Sequence, residues 1–368
     1  MPRIGIDARK IGHGGIGRYV RALLAGLPAL LDDAQVVALA YAAAAAEIAR
    51  LAPAVRVVPV RARGYSIAEH AELGRVARAE RLELLHVPHY VLPLGVRCPA
   101  VVTVHDLIHL RVPRSPLHWL YARWMLGVVR RRARLVLTVT EAIARDLREC
   151  GGIARERIRV TPNGVASAFV EAHLGSEEVA AFAARRGLPR PYLLNVTNGL
   201  PHKGLDVLLG AMAALPDLAL VLAGQGSDHA RVRRQVQGSG LGSRRVAILG
   251  ELAEADLVCA YRGACAVVVA SRMEGFGLPA LEAMALGVPV VATDCGGLAE
   301  AVGEAGLLVP AGSVACLRDA LYRIAFEIDQ TEREGLIQRG RARAREFTWD
   351  ATVRATRDAY LEVLAGAA

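Results

Sequence analysis

Lysine is nearly absent from this chain of 368 residues: among 45 lysines and arginines, only Lys10 and Lys203 are lysine. That scarcity singles the two out, because an ammonium is a compact point charge where a guanidinium is a planar fork. Long apolar runs are lacking as well. The nearest candidates are broken by Glu47, Asp206 or Asp217, so no membrane span is expected. The opening Met-Pro-Arg-Ile-Gly-Ile-Asp reads as a strand, and a signal peptide is not expected, since no apolar stretch follows a basic start. The six cysteines (Cys98, Cys150, Cys259, Cys265, Cys295 and Cys316) form no C-x-x-C pair. They read as reduced, mostly buried thiols of a cytoplasmic protein. No repeat or low-complexity tract stands out beyond the alanines at 42–46, and no nucleic-acid-binding module is recognisable.

What is present begins with length and charge. A chain this long exceeds what one core usually holds, which predicts two domains. Hydrophobic content of 53% against 22% charged residues excludes disorder. The net charge of +9 favours an anionic partner without choosing among nucleic acid, membrane and phosphorylated substrate. Short apolar runs at 3–8, 36–40, 55–60, 84–87, 100–104, 135–139 and 158–161 predict strands of a first unit. Runs at 192–196, 218–223, 246–249, 266–270, 289–293 and 307–309 predict those of a second. Helical patterns alternate with them, which predicts parallel sheets covered on both faces. The expected fold is α/β, two doubly wound Rossmann-like domains facing across a cleft. Their boundaries are expected at 1–172, 173–346 and a last helix at 347–368, with the linker in the polar stretch 171–190. In such folds ligands bind at the carboxyl ends of the strands, and that is where the polar and glycine clusters fall.

The strongest cluster is Ser271-Arg-Met-Glu-Gly-Phe-Gly-Leu-Pro-Ala-Leu-Glu-Ala-Met-Ala285. Glu274 and Glu282 flank a glycine turn between a predicted strand and a helix opened by Pro279 and closed by Gly287. Backbone N–H groups at such a helix start favour an anion, and the two carboxylates add acceptors for hydroxyls. A nucleotide-sugar has both features. Paired carboxylates also serve glycoside hydrolases, but an anion site between them is not needed for hydrolysis. Core packing is the plain alternative for Phe276, Leu278 and Pro279. Lys203 follows another strand and stands before Gly204, where neutralising a diphosphate would make it a better leaving group. Gly12, Gly14 and Gly17 match G-x-G-x-x-G, yet the second predicted strand ends in Ala40-Tyr-Ala-Ala-Ala. The ribose-binding acid of a dinucleotide fingerprint is therefore missing, leaving a glycine loop near a phosphate or sugar, or a tight turn. His105 ends the strand 100–104 and is a candidate sugar contact. With Asp106 and His109 it also suggests a metal site, but no further ligand cluster accompanies them. His109 alone reads as structural.

Taken together, these residues resemble the retaining glycosyltransferases of family four, with the GT-B fold and a mannosyltransferase-like character. The family's E-x7-E is met by Glu274 and Glu282. Gly14-Gly-Ile-Gly-Arg-Tyr19, Val104-His-Asp-Leu-Ile108, Thr161-Pro-Asn-Gly164, Pro201-His-Lys203 and Gly296-Gly-Leu-Ala-Glu300 fall in family order along nearly the whole chain. The resemblance implies a nucleoside diphosphate sugar as donor, GDP-mannose ahead of UDP-sugars, a glycan or lipid-linked acceptor, net retention at C1, and no metal or other cofactor. It implies that Glu274 contacts donor-sugar hydroxyls, Glu282 the ribose, and Lys203 the diphosphate. The backbone from Gly275 through Phe276 and Gly277 to Leu278 would meet sugar and phosphate. Gly15 would permit close approach of the first domain, and His105 would stand at the reacting sugar. Two positions depart from the pattern. Thr197-Asn198-Gly199 lacks the arginine many members carry before the lysine, which leaves Arg272, His202, Arg9 and Arg18 as candidates for a second cation. Ala166 replaces a frequent acidic residue.

Residues 116–134 combine Trp119, Tyr121, Trp124, Met125 and Leu126 with Arg130-Arg-Arg-Ala-Arg134. This reads either as a packed helix with a solvated end or as a peripheral anchor on anionic lipid at the inner face of the membrane. Two other functions stay open: a GT-B pair that binds nucleotide-sugar without turnover, and an NAD-dependent oxidoreductase resting on the glycine pattern alone.

Overall fold

The computed structural model describes residues 1–113, 115–172, 175–242 and 244–366. The chain forms two compact units, one of Met1–Gly164 with Trp349–Ala368 and one of Val165–Thr348. The expected boundary after residue 172 meets His173 and Leu174, which lie outside the described residues, as do Ala367 and Ala368 of the expected stretch 347–368. The stretch 171–190 is not a linker. It contains the helix Ser176–Arg185, whose Val179, Phe182 and Ala183 are buried in the second unit.

Each apolar run became a strand. The first unit holds β1 (Arg3–Asp7), β2 (Gln35–Ala40), β3 (Arg56–Pro59), β4 (Leu84–Val87), β5 (Ala100–Val104), β6 (Leu135–Thr138) and β7 (Ile158–Val160). They lie in the order β3-β2-β1-β4-β5-β6-β7, and every pairing is parallel. The second unit holds β8 (Tyr192–Val196), β9 (Ala219–Ala223), β10 (Val246–Gly250), β11 (Ala266–Val269), β12 (Val290–Asp294) and β13 (Leu307–Pro310). Its order is β10-β9-β8-β11-β12-β13, again all parallel. Both are doubly wound sheets, as the sequence predicts. Strands buried on both faces are apolar without alternation; β5 and β11 are buried at every position.

In each sheet the order reverses beside the first strand, between β1 and β4 and between β8 and β11. The loops leaving those carboxyl ends diverge to opposite faces and leave a crevice for ligands. The helix Trp349–Ala365 belongs to the first unit, where Val353, Ala359, Tyr360 and Val363 join the core around Ile4, Ile6, Tyr19 and Leu23. In the second unit the core gathers Leu193, Leu208, Leu220, Val268 and Val291.

Candidate functional site

In the second unit two loops meet at the reversal between β8 and β11. Gly204 has φ +63° and its backbone lies so close to the Ala270 carbonyl that a Cβ would stand 1.9 Å from that oxygen. Only glycine fits such a contact in the left-handed region. Arg272 N–H also donates to the His202 carbonyl at 2.7 Å. The end of the β8 loop is therefore locked onto the end of β11. This lock brings Lys203 to Glu274, with Nζ 2.6 Å from Oε2. The Ser271 hydroxyl donates to the same Oε2 at 3.1 Å. Burial alone would raise the Glu274 pKa, but Lys203, with the Ser271 hydrogen bond, holds it below the usual carboxylate range.

The glycine turn between the carboxylates is equally constrained. Gly277 (φ +96°) precedes the helix Leu278–Ala285, and a Cβ there would fall 2.4 Å from Leu298 Cδ1. Gly297 N–H donates to the Glu274 carbonyl at 3.0 Å, bracing the turn from the far side. Pro279 occupies the first turn, where its missing N–H costs nothing. Glu282, on this helix, is 2% exposed, and the Tyr261 hydroxyl donates to its Oε2 at 2.7 Å. Nothing in the sequence singled out Tyr261. Gly275, Phe276 and Leu278 are buried, and the Phe276 ring packs edge-on against Phe347 at 5.4 Å. Its side chain does core work while its backbone forms the turn.

Of the candidate second cations, Arg272 forms a two-pronged pair with Asp206 at 2.6 and 2.7 Å. Arg9 is 5% exposed and clasped by Asp7 and Glu69. His202 is buried and Arg18 half-buried. A surface phosphate role does not suit Arg9.

In the first unit the helix Gly14–Gly26 starts inside the glycine run, and Gly15 is an exposed residue of its first turn. His105 follows β5. Its ring meets Tyr19 edge-on at 4.9 Å, and its Nε2 is buried without a hydrogen-bond partner among the described residues. Burial, with the nearby charges of His89 and Lys10, pushes its pKa down to about 4 despite a hydrogen bond to the Pro88 backbone. It is thus a neutral imidazole at pH 7. The suggested His105–Asp106–His109 metal set does not form as a cluster. Asp106 Oδ1 accepts the Ile108 N–H, and His109 packs against Tyr90 and His118.

The acid–imidazole group that does assemble is Asp7, Glu69 and His89, with potential ligand atoms within 4.8 Å of one another. Arg9 lies among them, donating to Asp7 Oδ2 at 2.6 Å and Glu69 Oε1 at 2.5 Å. The site is therefore charge-compensated by the protein itself. Burial would raise Asp7, but hydrogen bonds from Arg9 and His89 hold its carboxyl far below the ordinary range. Deeper still, Tyr360 Oη, His86, Thr103 Oγ1 and Tyr19 Oη form a buried chain at 2.6, 2.7 and 3.0 Å.

Comparison with known proteins bears on the family and the fold. Residues 13–169 match the family described as Glycosyltransferase Family 4, and residues 190–325 match the family described as Glycosyl transferases group 1. The chain is 35% identical over 247 residues to the D-inositol 3-phosphate glycosyltransferase of Corynebacterium jeikeium, a match spanning 63% of this chain and 58% of that protein. It is 28% identical over 284 residues to the O-antigen chain mannosyltransferase B of Escherichia coli, covering 75% and 74%. Among solved structures it superposes on the sucrose-phosphate synthase of Thermosynechococcus elongatus with TM-score 0.81 and 23% identity over 100% of both chains. The Anabaena HepE structure in complex with UDP and glucose gives 0.76 and 20%, over 98% of this chain and 100% of that one.

Proposed function

This chain belongs to glycosyltransferase family four and has the GT-B fold; from that premise we propose that it transfers a sugar from a nucleoside diphosphate sugar to a glycan or lipid-linked acceptor. The observation that carries the proposal is the Lys203–Glu274 pair at 2.6 Å beside the start of the helix Leu278–Ala285. An ammonium has three donors, so contact with Glu274 is compatible with contact to phosphate. In this reading Lys203 and the N–H groups from Gly275 to Leu278 neutralise the diphosphate, the work a metal ion would otherwise do. Glu274 accepts from donor-sugar hydroxyls, and Glu282, oriented by Tyr261, accepts from the ribose. Gly15 leaves room for close approach, and the neutral His105 imidazole serves the hydroxyls of the reacting sugar.

The reaction breaks the C1–O bond, with its electron pair leaving on the diphosphate. The acceptor oxygen forms its bond to C1 on the same face, its proton passing to the leaving phosphate oxygen, and configuration is retained. Electrostatic stabilisation of the leaving group is the main term. The Escherichia coli mannosyltransferase relative supports mannose as the transferred sugar, with GDP-mannose the donor in this reading; the UDP in the Anabaena structure makes UDP-sugars the alternative. Family membership displaces the dinucleotide reading of Gly12–Gly17.

The acceptor side extends to a membrane. Among the described residues no helix is long and apolar enough to cross one. Leu117 and Leu120 are well exposed on the helix Pro116–Arg132, which ends in Arg130 and Arg131. Such a face suits peripheral contact with anionic lipid. Arg132 is committed elsewhere, to the Leu94 and Val96 carbonyls. Co-sedimentation with anionic vesicles at low salt tests this contact, and its failure there removes it.

A thermal-shift screen with GDP-, UDP- and ADP-sugars tests the main proposal. One nucleotide class should raise the melting temperature, and Glu282→Ala should weaken that donor. Release of free sugar from the donor without acceptor would separate turnover from mere binding. A chain indifferent to every nucleotide-sugar would refute the reading.

A further inference from the structure

Aromatic residues make up only 5% of this sequence, yet the first unit gathers an unbroken belt of rings. His118, His109, Tyr90, Tyr65, Tyr121 and Trp124 follow one another at centroid spacings of 4.6 to 6.3 Å. The belt is not an ordinary core cluster, since Tyr65 and Trp124 are each 45% exposed. One ring is also held out at a conformational cost. Tyr65 has φ +64°, in the left-handed region that a bulky side chain avoids. Its N–H donates to Glu69 Oε2 at 2.6 Å, and Glu69 is fixed by the buried Arg9, itself held by Asp7. The ion cluster, which the proposed reaction does not use, thus explains what secures Tyr65. Lys10, one of two lysines in the chain, lies 4.8 Å from the Tyr65 ring centre with Nζ 3.1 Å from its hydroxyl.

Three polar atoms of the belt have no hydrogen-bond partner among the described residues. Tyr90 Oη, Tyr121 Oη and His118 Nδ1 are all buried. Buried polar atoms without a hydrogen bond are rare and call for a ligand or water. An acyl chain would cover the rings but leave all three atoms unsatisfied, while an inorganic anion would use Lys10 and ignore the rings. A sugar ring answers both demands, with an apolar C–H face to stack and a rim of hydroxyls to donate and accept. We infer that the Tyr65–Tyr121–Trp124 belt is a binding site for a saccharide ring, the acceptor sugar if the glycosyl-transfer reading holds, with Lys10 beside it suited to an anionic substituent.

Saturation-transfer NMR with methyl α-mannoside, methyl α-glucoside and glucose 6-phosphate tests the site directly. At least one probe should show saturable contact with the full chain. Tyr65→Ala and Trp124→Ala should each weaken it by about ten-fold, the size of one lost stacking contact, with GDP and UDP binding unchanged. Tyr121→Phe keeps the ring and should weaken the probe several-fold at an unaltered melting temperature. No contact with any probe in a chain that still binds nucleotide overturns the inference, as does equal contact in both alanine variants. Loss of vesicle binding in those variants with saccharide contact intact would make the belt a membrane face and overturn it too. Failure to bind nucleotide-sugar strikes the transferase reading instead, so the two failures are separable.

Discussion

Lys203 reaches Glu274 because of the residue behind it. Gly204 turns the chain left-handed against the Ala270 carbonyl, so the ammonium position depends on a missing methyl group. Gly204→Ala should destabilise the second unit by about 2 kcal/mol or more, from the left-handed conformation and the steric contact together, and should lower turnover as Lys203 moves. A urea melt with the wild-type midpoint would contradict the lock. At this scale the sequence was readable where residue type and spacing carry chemistry: two glutamates around a glycine turn, and a solitary lysine before a glycine. It was silent where a site is assembled from distant segments. Asp7, Glu69 and His89 come from three separate places, and the only hint was a charge ending an apolar strand. Tyr261, which orients Glu282, left no hint at all.

The elements themselves were legible because parallel strands buried on both faces must be apolar, and short apolar runs between amphipathic helices have few other uses. Their ends differ by a residue or so, since a strand's last apolar side chain does not mark its last hydrogen bond. The supposed linker failed for a related reason. The helix Ser176–Arg185 buries only Val179, Phe182 and Ala183, so its composition is mostly that of a solvated face. The closing helix carries a clearer test. Tyr360 pins it to the sheet through His86 Nδ1 at 2.6 Å. Tyr360→Phe keeps the ring but leaves a buried imidazole nitrogen unpaired, which should cost about 1–3 kcal/mol. Hydrogen exchange should quicken first in Trp349–Ala365, and unchanged protection there would show that the hydrogen bond contributes little.

For the whole molecule, strand order was beyond composition and periodicity, because hydrophobic pattern fixes which strands are buried and not which are neighbours. Buried histidines give the molecule a global signature of their own. Burial pushes His86 to about 3 and His105 to about 4, so both stay neutral in the fold while an unfolded chain takes up their protons near pH 6.5. The stabilisation is complete above that pH and is lost as pH falls toward the folded values. Each contributes a slope that approaches about 1.4 kcal/mol per pH unit below the unfolded value. Unfolding free energy should therefore drop between pH 7 and 5, and a flat profile across that range would contradict the burial of neutral imidazoles.

The central claim is that Lys203 drives departure of a nucleoside diphosphate from C1 of its sugar. Single-turnover measurement of nucleoside diphosphate release, with the donor found in the screen and the wild-type and Lys203→Ala chains compared, tests it most directly. The account predicts a fall on the order of 10²-fold, the effect of removing one electrostatic donor from a leaving group, with the fold intact by melting temperature. Release by Lys203→Ala at close to the wild-type rate would contradict it.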